Sequence, residues 1–130
     1  MIDNEMRIEL EKPIPGWAVS QHPTKPNRTV IHPMAVVDRL NSVFGFGQWM
    51  FSVEFISCDK SVQKTQRGDR DVYVSMVKGI LEIPEHSVYL EQFGGSTNDD
   101  GGDALKGGAT DALTKIASYL GICASIYRGH

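Results

Sequence analysis

The apolar positions between residues 101 and 121 recur at steps of three and four, which is the period of one buried helix face. In this stretch, GGDALKGGATDALTKIASYLG, they are Leu105, Ala109, Ala112, Leu113, Ile116, Ala117 and Leu120. Asp103 lies where an acid complements the unpaired amides of a first helical turn, and Gly121 lies where helices commonly end. The pattern therefore predicts a helix of about 18 residues, roughly 27 Å long.

Two glycines, Gly107 and Gly108, fall within the early turns of this predicted helix. A glycine inside a helix costs about 1 kcal/mol relative to alanine. We therefore expect the helix backbone to pack very close to a neighbouring sheet, subunit or ligand at this point.

Shorter periodic stretches precede the long helix. Residues 33–44 carry a helical stripe of apolar side chains, with Pro33 suited to the first turn and Gly45 suited to the end. Three later stretches alternate apolar and polar residues at least in part, as half-buried strands do. They are residues 49–55, 72–83 and 87–93. This order predicts an α+β fold: a helix, a three-stranded antiparallel meander, and a long C-terminal helix packed on the sheet.

The connecting segments are polar or rich in proline and glycine. Residues 59–71 predict a hairpin loop between the first two strands. Pro84-Glu85-His86 predicts a tight turn, and residues 94–102 predict a connector into the long helix.

The chain as a whole predicts one domain over residues 1–130, with its core at residues 30–127. Residues 1–29 predict an irregular lead-in, because prolines interrupt it, and its charged first 12 residues are expected to form a mobile arm or a short edge strand. A content of 41% hydrophobic and 22% charged residues is typical of a soluble globular protein. The sequence has neither an apolar run near the ~20 residues of a membrane span nor a signal-peptide pattern, so we expect an intracellular, cytoplasmic protein with no membrane partner.

The net charge of −3 and the pI of about 5.7 argue against a nucleic-acid binder, which is typically basic. Basic residues are nevertheless concentrated in one short segment that contains a single acid, Asp69. They are Lys60, Lys64, Arg67 and Arg70. Lys25 and Arg28 in the lead-in are either solvated loop charges or phosphate contacts.

No pattern for a reaction centre is present in the sequence. It has no P-loop, no H-E-x-x-H and no G-x-S-x-G nucleophile motif. Cys58 and Cys123 lack metal-ligand or redox spacing. The acids between residues 98 and 103 fit no calcium-loop pattern and are better explained as helix-start caps. We therefore predict a protein that is not an enzyme and that needs no metal or cofactor.

Residues 102–122, GDALKGGATDALTKIASYLGI, resemble the signature helix of the Rad-fifty-two family of single-strand annealing proteins. The pattern in that family runs roughly G-D-A-L-K-x-A-A-T-D-A-L-K-R-x-A-S-x-L-G. Upstream, Val37-Asp38-Arg39-Leu40-Asn41, followed by Phe44-Gly45 and Trp49, is similar to the first helix of the family and its turn into the first strand. The resemblance extends over residues 30–127.

The resemblance implies a protein that binds single-stranded DNA and anneals complementary strands without ATP, in homologous recombination and DNA repair. Such proteins form homo-oligomeric rings and hold the DNA backbone in an outer groove, and other recombination proteins are possible partners. The short chain is similar to the phage type, which would act in the cytoplasm of a bacterial host.

The resemblance also implies which residues contact DNA. Lys106 and Lys115 match lysines of the signature helix, and Thr114 replaces the first residue of an adjacent basic pair. Lys60, Lys64, Arg67 and Arg70 match a wall beside the groove. An alternative explanation of Lys115 is an ion pair with Asp111, four residues earlier and in the favourable order.

Two other functions remain open at this point. One is a protein that binds and protects single strands or DNA ends without efficient annealing, which the replacement by Thr114 and the acidic pI favour. The other is a structural or interaction protein that has kept the fold and lost DNA binding.

Overall fold

The computed structural model describes residues 1–22 and 29–128, and it has the predicted α+β architecture. Two short 3-10 turns, Gly16–Ala18 and Pro84–His86, accompany the helices and strands. The helices are α1 (Asn4–Glu11), α2 (Pro33–Phe44), α3 (Gly101–Tyr119) and α4 (Ala124–Tyr127). The strands are β1 (Val19–Gln21), β2 (Thr29–Ile31), β3 (Met50–Thr65), β4 (Gly68–Ile83) and β5 (Val88–Asn98). None of these helices is both long enough and apolar enough to cross a membrane.

The predicted meander is an antiparallel sheet with the order β3-β4-β5, and β1 pairs with β2 separately. The α3 helix packs on β4 and β5, and the predicted long C-terminal helix is thereby confirmed. A buried cluster between the helices and this face of the sheet forms the core. It includes Leu10, Val36, Leu40, Phe44, Leu81, Ile83, Leu113, Ile116 and Ile122.

The hairpin loop predicted at residues 59–71 is wrong. The β3 and β4 strands continue as a two-stranded ribbon until Thr65 pairs with Gly68 across a turn at Gln66 and Arg67. The Thr65 Oγ1 hydroxyl donates to the Gly68 carbonyl at 2.6 Å, and Gly68 has a φ of +113° that favours glycine. Both faces of this ribbon are exposed, so its residues lack the alternation by which a half-buried strand is predicted.

The connector predicted at residues 94–102 is also wrong over most of its length, because β5 continues to Asn98. A glycine is needed at position 94 of this strand because the α3 backbone crosses it closely. A Cβ at Gly94 would overlap the carbonyl oxygen of Gly108 and the amide nitrogen of Ala112. The close approach expected at Gly107 and Gly108 is therefore confirmed, and the partner is the sheet.

The first residues form a helix and not the mobile arm or edge strand that the sequence suggested. The Asp3 carboxylate accepts a hydrogen bond from the Met6 amide at 2.8 Å and caps α1, while Leu10 is buried against the core. The Arg39 guanidinium, on α2, donates to backbone carbonyls at the other end of α1. These carbonyls belong to Glu9, Leu10, Lys12 and Pro13, at 2.8 to 3.2 Å. The arginine thus ties α1 to α2 by satisfying carbonyls that a helix end leaves unpaired.

Candidate nucleic-acid interface

A groove of about 1070 Å³ runs beside α3, between that helix, β2, α4 and the edge strand β5. Much of its wall is made of hydroxyl groups. These belong to Thr29, Ser75, Ser96, Thr97, Thr110, Thr114 and Tyr127. Hydroxyls and backbone amides are common ligands of phosphate oxygens, so the wall suits a polar, sequence-independent ligand.

Lys115 and Asp111 also line this groove and form the ion pair that their spacing allowed. The Lys115 Nζ lies 2.9 Å from the Asp111 Oδ2, and the two side chains are 43% and 24% exposed. The same carboxylate oxygen accepts a hydrogen bond from the Gly95 amide of β5 at 3.1 Å. Lys115 therefore reaches the groove, but its charge is balanced there.

Thr114 is nearly covered by protein, at 7% exposure. Its hydroxyl donates to the Asp111 carbonyl at 3.1 Å. The Thr114 hydroxyl also faces Tyr127. Burial raises the pKa of Tyr127 above its ordinary value, whereas the hydrogen bond with Thr114 lowers this pKa. The hydroxyl is thus engaged with the protein. A phosphate contact by Thr114 stays a prediction, and one that would require these bonds to rearrange.

Lys106 lies on the exposed side of α3 and does not line the groove, although the sequence grouped it with Lys115. The N-terminal half of α3 turns Ala104 and Gly108 towards the sheet, where the Ser75 hydroxyl donates to the Ala104 carbonyl at 2.5 Å. Lys106 is therefore placed away from the sheet and from Asp111.

The four basic residues of the ribbon do not share one face. The strand register places Lys60 and Lys64 on the side that α3 covers further along, places Arg70 on the other side, and leaves Arg67 in the turn. Acids accompany them, because Lys60 Nζ lies 3.4 Å from Asp71 Oδ2 and Lys64 is directly opposite Asp69. The ribbon is thus a mixed, fully exposed charged surface and not a single basic patch.

Lys25 and Arg28 fall outside the described residues, so their predicted phosphate contacts remain predictions. They lie in the chain between His22 and Thr29, both of which line the groove.

Several residues of the groove were not predicted from the sequence. They are Thr29, Ser96, Thr97, Thr110 and Tyr127. The pattern Thr29-Val30-Ile31 after a proline-rich segment is a β-branched run that indicates a strand, and it could have identified β2. No local pattern indicates that α4 returns to bring Tyr127 beside Thr114.

The acids before α3 act as caps. The Asp100 carboxylate accepts a hydrogen bond from the Asp103 amide at 2.9 Å, which satisfies one unpaired amide of the first turn. Within residues 1–22 and 29–128, no three His, Cys, Asp or Glu side chains are grouped closely enough to hold a metal ion.

The fold and the groove define an α+β domain in which a long helix over an antiparallel meander carries a lysine at a hydroxyl-lined wall. A family model described as the Rad52/22 family double-strand break repair protein matches residues 3–127. The chain belongs to this family, as the resemblance in the signature helix predicted, and the match includes α1 and β1. Its family is therefore one of DNA recombination and repair. No curated protein matches the sequence.

Proposed function

We propose that this protein binds single-stranded DNA and anneals complementary strands without ATP, in the cytoplasm, during recombination or repair. The observation that carries the proposal is Lys115, which lies on the family's signature helix at a groove lined by hydroxyl groups. Annealing neutralises backbone charge and leaves the Watson–Crick edges open, so it requires no bond to be made or broken.

In this proposal the groove holds the sugar-phosphate backbone. Lys115 supplies the charge, and the hydroxyls of Ser96, Thr97 and Thr110 supply neutral hydrogen bonds to phosphate oxygens. The exposed lysines and arginines of the β3–β4 ribbon add a second, weaker set of contacts. Such contacts carry no base preference, which suits a protein that must pair any two complementary strands.

We further propose that the protein works as a closed oligomer of the ring type. The outer edge of β3 has no strand partner within the described parts of the chain, and this strand carries exposed apolar side chains. They are Met50, Val53, Phe55, Ile56 and Val62. An open apolar edge strand is a common site of association between chains.

The first experiment is fluorescence-anisotropy binding of labelled oligo-dT at two salt concentrations, with the mass of the protein measured by light scattering. We expect tight binding by a large oligomer, weakened steeply by salt and by Lys115→Ala. The matched control is Lys12→Ala, which removes the same charge from a lysine paired with Glu9 on α1. Absence of binding at low salt would contradict the proposal.

The annealing step is tested separately, with two complementary labelled oligonucleotides mixed without nucleotide cofactor. We expect the protein to accelerate duplex formation and Lys115→Ala to reduce the rate. Binding without acceleration would instead favour a protein that protects single strands or DNA ends. Two observations favour this second function. The Thr114 hydroxyl is buried and bonded within the protein, and the positive charge of Lys115 is neutralised by Asp111.

A further inference from the structure

The Asp111 carboxylate is held from two sides in the wall of the groove. One oxygen, Oδ2, accepts from the Gly95 amide at 3.1 Å and from the Lys115 ammonium at 2.9 Å. Gly95 belongs to the edge strand β5, and its amide points away from β4 towards this carboxylate. Asp111 therefore closes part of the sheet edge at the same time as it binds Lys115.

This arrangement differs from an ordinary ion pair on a helix surface. An exposed pair at this spacing contributes little, because both long side chains must be ordered and water screens them. Here the backbone amide of Gly95 fixes one partner, and the carboxylate is only 24% exposed. The position of Lys115 is thus set by a group that is itself anchored to the sheet.

The balance of charge in the groove depends on this pair. Two of the described lining residues, Lys115 and Asp111, have side chains that are charged near neutral pH, and His22 is the other basic side chain there. The charges of Lys115 and Asp111 cancel. A phosphate that binds Lys115 must therefore compete with Asp111 for the ammonium group.

We propose that Asp111 is a positioning residue that sets the affinity of the groove for single-stranded DNA. It holds the Lys115 ammonium at the wall in the unbound protein and neutralises it, and a backbone phosphate takes the lysine from it on binding. This keeps binding reversible, so that the annealed product can leave. The inference depends on the proposed function, because it concerns the same groove.

Asp111→Asn tests this directly, since the side-chain carbonyl of asparagine can still accept from the Gly95 amide while its charge is lost. We expect oligo-dT to bind about two- to five-fold more tightly at low salt, as expected for removal of one competing, partly exposed charge. The plot of log K against log salt concentration should steepen by up to about 0.7, the value for one phosphate charge neutralised in a single strand, because the Asp111 carboxylate no longer offsets the charge of Lys115. Duplex release after annealing should become slower.

Two variants separate this effect from others. In a Lys115→Met background, Asp111→Asn should change neither the affinity nor the salt slope, because the ammonium for which Asp111 and the phosphate compete is absent. Glu85→Gln makes the same change in net charge in the turn before β5. That turn is about 30 Å from Gly95 along an extended strand, well beyond the screening length at physiological salt. Glu85→Gln should therefore leave the affinity for oligo-dT within about a factor of 1.5 of that of the original protein.

The outcomes distinguish the two proposals. If the original protein binds oligo-dT and Asp111→Asn binds equally or more weakly, the role of Asp111 is wrong and the proposed function stands. An equal gain in affinity in the Lys115→Met background would also overturn the proposed role of Asp111, since the effect would not depend on the lysine. If neither the original protein nor Asp111→Asn binds at low salt, both proposals fail.

Discussion

Lys78 joins two carboxylates across the three strands of the sheet, on the face that α3 does not cover. Its ammonium lies 3.1 Å from a carboxylate oxygen of Glu91 on β5 and 3.9 Å from one of Glu54 on β3. The Tyr89 hydroxyl donates to Glu91 at 2.7 Å. The hydrogen bond from Tyr89, followed by that from Lys78, holds the pKa of Glu91 below its ordinary value.

Tyr89→Phe should therefore raise the pKa of Glu91 towards its ordinary value. A lowered pKa in the folded state stabilises the protein above the pKa of the unfolded chain, and this contribution is lost as the pH falls through the folded value. The difference in stability between the original protein and Tyr89→Phe should accordingly be present at neutral pH and shrink in acid. Carboxyl carbon NMR titration measures the pKa, and urea denaturation at several pH values measures the stability.

Tyr119→Phe is the matched control for this prediction. The Tyr119 hydroxyl accepts a hydrogen bond from Gln92, the next residue along β5, whose side chain points to the opposite face. We expect no change in the pKa of Glu91 in this variant. Identical Glu91 titration curves for the original protein and Tyr89→Phe would show that the hydroxyl does not set the pKa.

Single residues of the groove were predictable only where the information is local. The Asp111–Lys115 pair follows from a spacing of four on one helix, and the structure contains it. The burial of Thr114 does not follow from the helix, because it depends on Tyr127 and α4, which return to that side of α3. The hydrogen bond from the Gly95 amide to Asp111 was likewise not predictable, because it depends on β5 lying at the edge of the sheet.

At the scale of elements, the contact between α3 and β5 depends on residues without side chains. Gly94→Ala should destabilise the protein by about 2–3 kcal/mol, because the added methyl group overlaps helix backbone that cannot move independently. Urea denaturation followed by circular dichroism measures the change.

Gly101→Ala, in the first turn of α3, is the control. A Cβ there would meet the Tyr73 ring at 3.6 Å, which is an ordinary contact, and alanine favours the helix. We expect its stability to change by less than about 1 kcal/mol. If Gly94→Ala were as stable as Gly101→Ala, the close approach would not explain the glycine.

Helices and half-buried strands were predictable in this chain because one face of each is apolar and periodic. The α3 helix and the order of the meander therefore agree with the prediction. The ribbon over residues 59–71 was not predictable by this method, since both of its faces are exposed. The α1 helix was also missed, because much of its attachment comes from Arg39, a residue on a different helix.

For the whole molecule, the two edges of the sheet differ in how open they are. On β5, the amide of Phe93 bonds to the side chain of Gln92, and that of Gly95 bonds to Asp111. These side chains occupy donors that an added strand would need. In the part of the chain that is described, no strand pairs with the outer edge of β3. We therefore expect subunits to associate through this edge.

Phe55→Glu tests this expectation, because Phe55 is 66% exposed on β3 and lies opposite Val77 in the sheet. A carboxylate buried at a subunit contact without a partner is strongly unfavourable, whereas on the surface of a monomer it is tolerated. We expect light scattering to show a loss of the large oligomer, with an unchanged circular dichroism spectrum. Strand annealing should fall at least about ten-fold, because the loss of avidity across linked sites removes factors of this size or larger.

Ile8→Glu is the matched control, since Ile8 is 61% exposed on α1, a helix that packs on α2. It introduces the same charge and should leave both the oligomer and annealing intact. If Phe55→Glu kept the size of the original oligomer, subunits would associate through another surface. If it became monomeric and still annealed strands at the original rate, the groove of one subunit would be sufficient, and closure into a ring would not be part of the mechanism.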